Sequence, residues 1–116
     1  MSTISIYHNP RCSKSRQTLA LLEEQGINAD IVEYLKTPPT VESLNVILQQ
    51  LGFTPRQLLR KGEAIYKELN LKDESLTDDQ LVQAMCKHPK LIERPIVIHN
   101  GKAKIGRPPE SVLEIL

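Results

Sequence analysis

The spacing of apolar and polar positions changes twice along the first third of the chain. Thr3-Ile4-Ser5-Ile6-Tyr7 alternates and is rich in β-branched residues, which predicts a strand. From Lys14 the spacing becomes helical, with Thr18, Leu19 and Leu22 in step and a stop at Gly26. Ala29-Asp30-Ile31-Val32-Glu33-Tyr34 predicts a second strand. A strand, a helix and a strand within so few residues suggest a right-handed parallel β-α-β unit. Lys36-Thr37-Pro38-Pro39 breaks the pattern.

A block of helices is expected next. Thr40 caps a helix with Val41, Leu44, Ile47, Leu48 and Leu51 on one face, closed by Gly52. Thr54-Pro55 opens a short helix with proline at its first position, carrying Leu58, Leu59 and Arg60. Glu63 to Leu69 predicts a weaker helix with Ile65 and Leu69 inward. Thr77-Asp78-Asp79-Gln80 has the form of a capping box. It starts a helix that turns Leu81, Val82 and Met85 inward and ends at Pro89.

Strand patterning then returns. Arg94-Pro95 leads into Ile96-Val97-Ile98-His99, and Asn100-Gly101 separates that run from Lys102 to Ile105. Asn-Gly between two such runs is a strong hairpin signal. After Gly106-Arg107-Pro108-Pro109, the segment Glu110 to Leu116 is expected to close as a helix with Val112, Leu113 and Leu116 inward. The order is β-α-β, helices, then β-β-α, without an internal repeat. Two halves sharing one mixed four-stranded sheet resemble the thioredoxin-like arrangement, an α/β fold. Residues 1–116 are expected to form one domain of this kind, with a helical insertion at about 40–88 between its halves. In that arrangement reactive cysteines lie at the start of the first helix, beside a proline that precedes the third strand and is often cis. Pro95 is placed for that structural role.

Composition narrows the function. Forty per cent of the 116 residues are apolar, enough for a core, but there is one Phe and no Trp, so Leu and Ile must supply most of it. A net charge of +1 argues against a nucleic-acid or anionic-membrane partner, so any positive site must be local. No run approaches the ~20 apolar residues of a membrane span. Met1-Ser2-Thr3 leads straight into a strand without a signal-peptide pattern, and the two cysteines are far apart. A reduced, cytoplasmic protein without a structural disulfide is expected.

The local cluster is at Cys12. The strand ending at Tyr7 and the helix starting near Lys14 place Cys12 on the connecting loop, at the first turn of the helix. Free N–H groups and the positive end of the helix dipole gather there. They favour the thiolate, the reactive form of cysteine, and they suit an anion. Arg11, Lys14 and Arg16 add positive charge. A buried apolar role is the ordinary fate of a lone cysteine, but the polar and basic neighbours of Cys12 favour a nucleophile in an oxyanion cradle.

Spacing sorts the chemistries open to such a thiol. A dithiol oxidoreductase needs Cys-x-x-Cys, and Ser15 holds the second position. A cysteine phosphatase needs arginine six residues after the cysteine, where this chain has Thr18. Cys12, Cys86, His8, His88 and His99 lack metal-ligand spacing, so no metal is expected. What remains is one thiol with distant arginines. Arg60 ends a short apolar helix, Arg94 precedes Pro95, and Arg107 follows the last strand. The rigid donor fork of arginine suits planar multi-oxygen anions. His8 is placed to help hold a thiolate, or simply to bond the backbone at a strand end. Cys86 lies beside Val82 and Met85, a packing position, with a resolving thiol as its functional alternative.

His8-Asn9-Pro10-Arg11-Cys12-Ser13-Lys14-Ser15-Arg16 resembles the active-site signature of the glutaredoxin-coupled arsenate reductases. The likeness continues through Tyr34-Leu35-Lys36-Thr37-Pro38-Pro39-Thr40, Leu58-Leu59-Arg60-Lys61, His88-Pro89, Arg94-Pro95-Ile96-Val97 and Gly106-Arg107-Pro108. The resemblance implies Cys12 as the nucleophile, with His8 and Ser15 near the thiolate. It implies Arg60, Arg94 and Arg107 as oxyanion binders, arsenate or a similar oxyanion as substrate, and no bound cofactor. Glutathione is the implied external thiol donor and glutaredoxin the implied protein partner. A related branch of transcription regulators binds RNA polymerase, and a redox-sensing role of that kind is the alternative. A monothiol glutathione-dependent oxidoreductase is a third.

Overall fold

The computed structural model describes residues 4–116. Thr3, expected at the start of the first strand, lies outside them. The chain divides into two compact units. The first comprises the described residues up to Thr37 together with Arg94–Leu116, and the second is Pro38–Glu93. The expected insertion at about 40–88 falls within the second.

The first unit is a thioredoxin-like sheet with its helices. Its elements are β1 (Ile4–Tyr7), α1 (Ser13–Glu24), β2 (Asp30–Val32), β3 (Ile96–His99) and β4 (Lys102–Ile105). The strand order is β2-β1-β3-β4. β1 runs parallel to β2, and β3 is antiparallel to both β1 and β4. β2 is shorter than expected. Among the described residues it is an edge strand that pairs with Ser5 to Tyr7, and Glu33 onward leaves the sheet in a turn whose Lys36 and Thr37 N–H groups both bond to the Glu33 carbonyl. The Asn100-Gly101 hairpin forms as expected, with both residues at positive φ. Ile6, Leu22, Val97 and Val112 are fully buried and form the core.

The last segment differs from the expected helix. Pro109–Ile115 is a 3-10 helix. Its three-residue period aligns Pro109, Val112 and Ile115, and these face the interior. Leu113 and Leu116, inward on an α-helical count, are 41% and 39% exposed.

The second unit holds α2 (Val41–Leu51), α3 (Pro55–Leu58), α4 (Ala64–Glu68) and α5 (Asp78–Lys87), followed by a 3-10 turn at Pro89–Leu91. Thr40, Thr54 and Thr77 each close a reciprocal capping box, with Ser43, Gln57 and Gln80. Gly52 ends α2 at φ +72, in the left-handed region where glycine carries no steric penalty. Leu44, Ile47 and Leu48 of α2 are buried, as are Leu81, Val82 and Met85 of α5. α4 departs from expectation. It is a single turn that buries Tyr66, while Leu69, just past its end, is 42% exposed. So short a helix does not carry a stripe as far as Leu69, and Leu71 is buried instead. The segments around Leu59 and Ile92 pair as an antiparallel bridge.

Candidate active site

β1 ends in a tight connection to α1 that is held by its own side chains. The Asn9 side-chain carbonyl accepts the Arg11 N–H at 3.0 Å, and the Asn9 backbone carbonyl accepts the Cys12 N–H at 3.0 Å. These bonds set Cys12 at the N-cap of α1, in extended backbone (φ −90, ψ 123). The Cys12 side chain takes none of the helix's first-turn N–H groups, and no acidic residue lies in that turn. A helix N-terminus in this state presents donors and positive potential to an anion. Cys12 itself is 8% exposed.

His8 and Ser15, on either side of the cysteine in sequence, are both buried. The His8 N–H bonds to the Val32 carbonyl, which fixes the end of β1 against β2. Its Nδ1 lies 2.6 Å from the Ser15 hydroxyl, and Ser15 also accepts the Asn9 N–H at 3.0 Å. One serine in the first turn of α1 thus ties the helix to the loop and to the strand end. Burial pushes the His8 imidazole below its ordinary value of 6.5, against an opposing pull from Glu33. At neutral pH His8 therefore contributes a hydrogen-bonding ring and not a charge.

The charge comes from across the sheet. Arg107 follows β4, and its Nη2 lies 3.6 Å from the Cys12 sulfur. Its Nε donates to the Arg94 carbonyl at 2.8 Å. Arg94 and Pro95 are joined by a cis peptide bond, as expected for the residue pair ahead of β3, and Arg107–Pro108 is a second cis bond. Cys12, His8, Ser15, Arg94, Pro95 and Arg107 all belong to the first unit, and β1, α1, β3 and β4 carry them or lead directly to them.

Arg60 belongs to the second unit. Its Nη1 pairs with Glu63 at 2.6 Å and its Nε with Glu93 at 3.6 Å, while its backbone N–H bonds to the Leu91 carbonyl. Cys86, on α5 of the same unit, is half-buried, and burial raises its thiol above the ordinary value. Two residues that composition and spacing did not single out for the site also bear on it. Thr18 and Gly106 are both buried and face each other where the Arg107 turn meets α1. Gly106 stands in the Gly-Arg-Pro-Pro string, but nothing in a string of letters shows that its missing side chain is needed.

The chain is similar throughout its length to known proteins. The ArsC family model matches residues 7–115. The protein YfgD of Escherichia coli is 57% identical over 114 residues, which is 97% of this chain and 96% of that protein. An arsenate reductase of Neisseria meningitidis is 50% identical over 117 residues, covering both chains fully. Among solved structures, an arsenate reductase from Vibrio cholerae superposes with a TM-score of 0.97 at 60% identity, covering 98% of each chain.

Proposed function

The chain belongs to the ArsC family, and from that membership we propose that it is an arsenate reductase that works through Cys12. The observation that carries this reading is the Arg107 guanidinium 3.6 Å from a cysteine sulfur at an uncapped helix N-terminus. Cation, helix donors and thiol meet at one point, the combination that an oxyanion under nucleophilic attack requires.

In this scheme a dianionic arsenate is held by the first-turn N–H groups of α1 and by Arg107. Arg60 and Arg94 take the further oxyanion-binding roles that the resemblance implies. The Cys12 thiolate attacks arsenic, an oxygen leaves as water after protonation, and a Cys12–S–As(V) adduct forms. The arginines offset charge on the arsenic oxygens as the bond is made. Reduction to As(III) requires two electrons, which two thiols supply by becoming a disulfide. Ser15 stands where a dithiol motif would place its second cysteine, so the donor comes from outside. We assign that donor to glutathione, with glutaredoxin reducing the resulting mixed disulfide as arsenite is released. No resident cofactor is required, and such donors belong to a reducing compartment, the cytoplasm.

The test is NADPH oxidation in a mixture of arsenate, glutathione, glutaredoxin, glutathione reductase and this protein. Oxidation should depend on arsenate and stop when either glutathione or glutaredoxin is left out. A folded protein that supports no arsenate-dependent oxidation in the complete mixture would overturn the proposal.

A further inference from the structure

We propose that Gly106 is a positioning residue: its lack of a side chain, against Thr18 and Pro95, is what sets Arg107 over the Cys12 sulfur. This rests on Cys12 being the thiolate nucleophile of the scheme above.

The five glycines of the chain fall into two groups. A Cβ added at Gly26, Gly52, Gly62 or Gly101 would meet nothing within 4 Å. Three of these have positive φ, so backbone conformation accounts for them. Gly106 lacks a positive φ, and here space is the constraint. A Cβ would run into the Thr18 hydroxyl, and it would lie 2.8 Å from Pro95 Cγ and 3.1 Å from Thr18 Cγ2.

Neither neighbour can easily give way. Thr18 is fully buried on α1, and its hydroxyl donates to the Lys14 carbonyl at 2.8 Å. Pro95 is a closed ring, and its carbonyl accepts the Gly106 N–H at 2.9 Å. The accommodating shift therefore falls on the backbone of residue 106 itself.

That shift would pass directly to the next residue. Arg107 spends its Nε on the Arg94 carbonyl and points Nη2 at Cys12. Both contacts are set from one Cα, and the Arg94 carbonyl lies one peptide from the Pro95 ring that Gly106 touches. The hydrogen bond between Gly106 and Pro95 and the one between Arg107 and Arg94 clamp the two segments in register. Relieving contacts this short loosens the clamp and swings the guanidinium away from the sulfur. Misplacement of about 1 Å near reacting atoms is enough to change reactivity severalfold or more.

The test is the rate at which iodoacetamide alkylates Cys12 at neutral pH, followed by peptide mass. It needs no arsenate, so a failure of the reductase scheme appears in the coupled assay and not here. Arg107→Ala should slow alkylation at neutral pH by about three- to tenfold, because the attacking sulfur loses the cation beside it. Gly106→Ala should do much the same in the native background and add little on top of Arg107→Ala. Thr18→Ala combined with Gly106→Ala, which frees the space of the Thr18 hydroxyl and methyl, should recover part of the rate. If Gly106→Ala does not fold, the Thr18→Ala/Gly106→Ala protein is compared with and without Arg107 instead, and the same dependence on Arg107 is expected. The proposal is overturned if Gly106→Ala leaves the rate unmoved. It is also overturned if its effect is as large without the guanidinium as with it, or if Arg107→Ala itself changes nothing.

Discussion

At the scale of single residues, the chemistry gathers in a loop whose local bonds were partly legible. Asn9-Pro10 signals a turn, and the structure adds that the Asn9 side chain and carbonyl hold the N–H groups of Arg11 and Cys12. That His8 and Ser15 would meet could not be read from spacing, since it depends on how β1 enters α1. The partners of Arg60 were equally hidden: Glu63 is local, but Glu93 arrives through the bridge between Leu59 and Ile92. The His8 environment leads to a pH prediction. In the folded protein burial holds the imidazole below its ordinary 6.5. The unfolded chain therefore binds the proton first as pH falls. The stability tied to neutral His8 is fully present above about pH 6.5 and is lost progressively below it, until the folded protein also protonates. Urea unfolding of the native protein and of His8→Gln should thus diverge in slope between neutral and mildly acidic pH, with the native protein losing more. Parallel curves would show that the ring is not held neutral by burial.

At the scale of elements, the sequence was most informative where a local rule acts alone. The threonine caps, Pro55 at the first position of α3, Gly52 after α2 and the Asn100-Gly101 hairpin all stand where side-chain chemistry places them. The departures occur where tertiary surroundings decide. Among the described residues β2 pairs with β1 alone and stops early, α4 is too short to carry a stripe, and the final segment winds as a 3-10 helix, which turns Leu113 and Leu116 outward. Thr77 allows a clean test, since its hydroxyl accepts the Gln80 N–H at 3.2 Å while Gln80 returns a bond to the Thr77 N–H at 2.8 Å. Thr77→Ala should lower stability by about 1 kcal/mol, the usual effect of removing a capping hydroxyl. Gln80→Ala should lower it by less. Chemical denaturation showing no change for Thr77→Ala would mean that α5 is held by its buried face alone.

At the scale of the whole molecule, the order of elements already contained the split sheet, because β-α-β and β-β-α patterning survives a block of helices between them. The three-dimensional neighbourhood of Cys12 was less accessible. Arg107 is 95 residues away in sequence, and only the strand order β2-β1-β3-β4 brings the turn after β4 to the start of α1. The residues already offered that arginine as one of three candidates, and geometry supplies the reason it matters. The central claim is that one thiol, Cys12, carries the reaction and that the second electron donor is external. It is tested most directly by the yield of arsenite from arsenate with glutathione and glutaredoxin, compared among the native protein, Cys12→Ser and Cys86→Ser. The expected result is many arsenite molecules per protein for the native chain and for Cys86→Ser, and none above background for Cys12→Ser, whose hydroxyl is not ionised at neutral pH and cannot exchange with a thiol. Continued turnover by Cys12→Ser, or its loss in a folded Cys86→Ser protein, would contradict the claim.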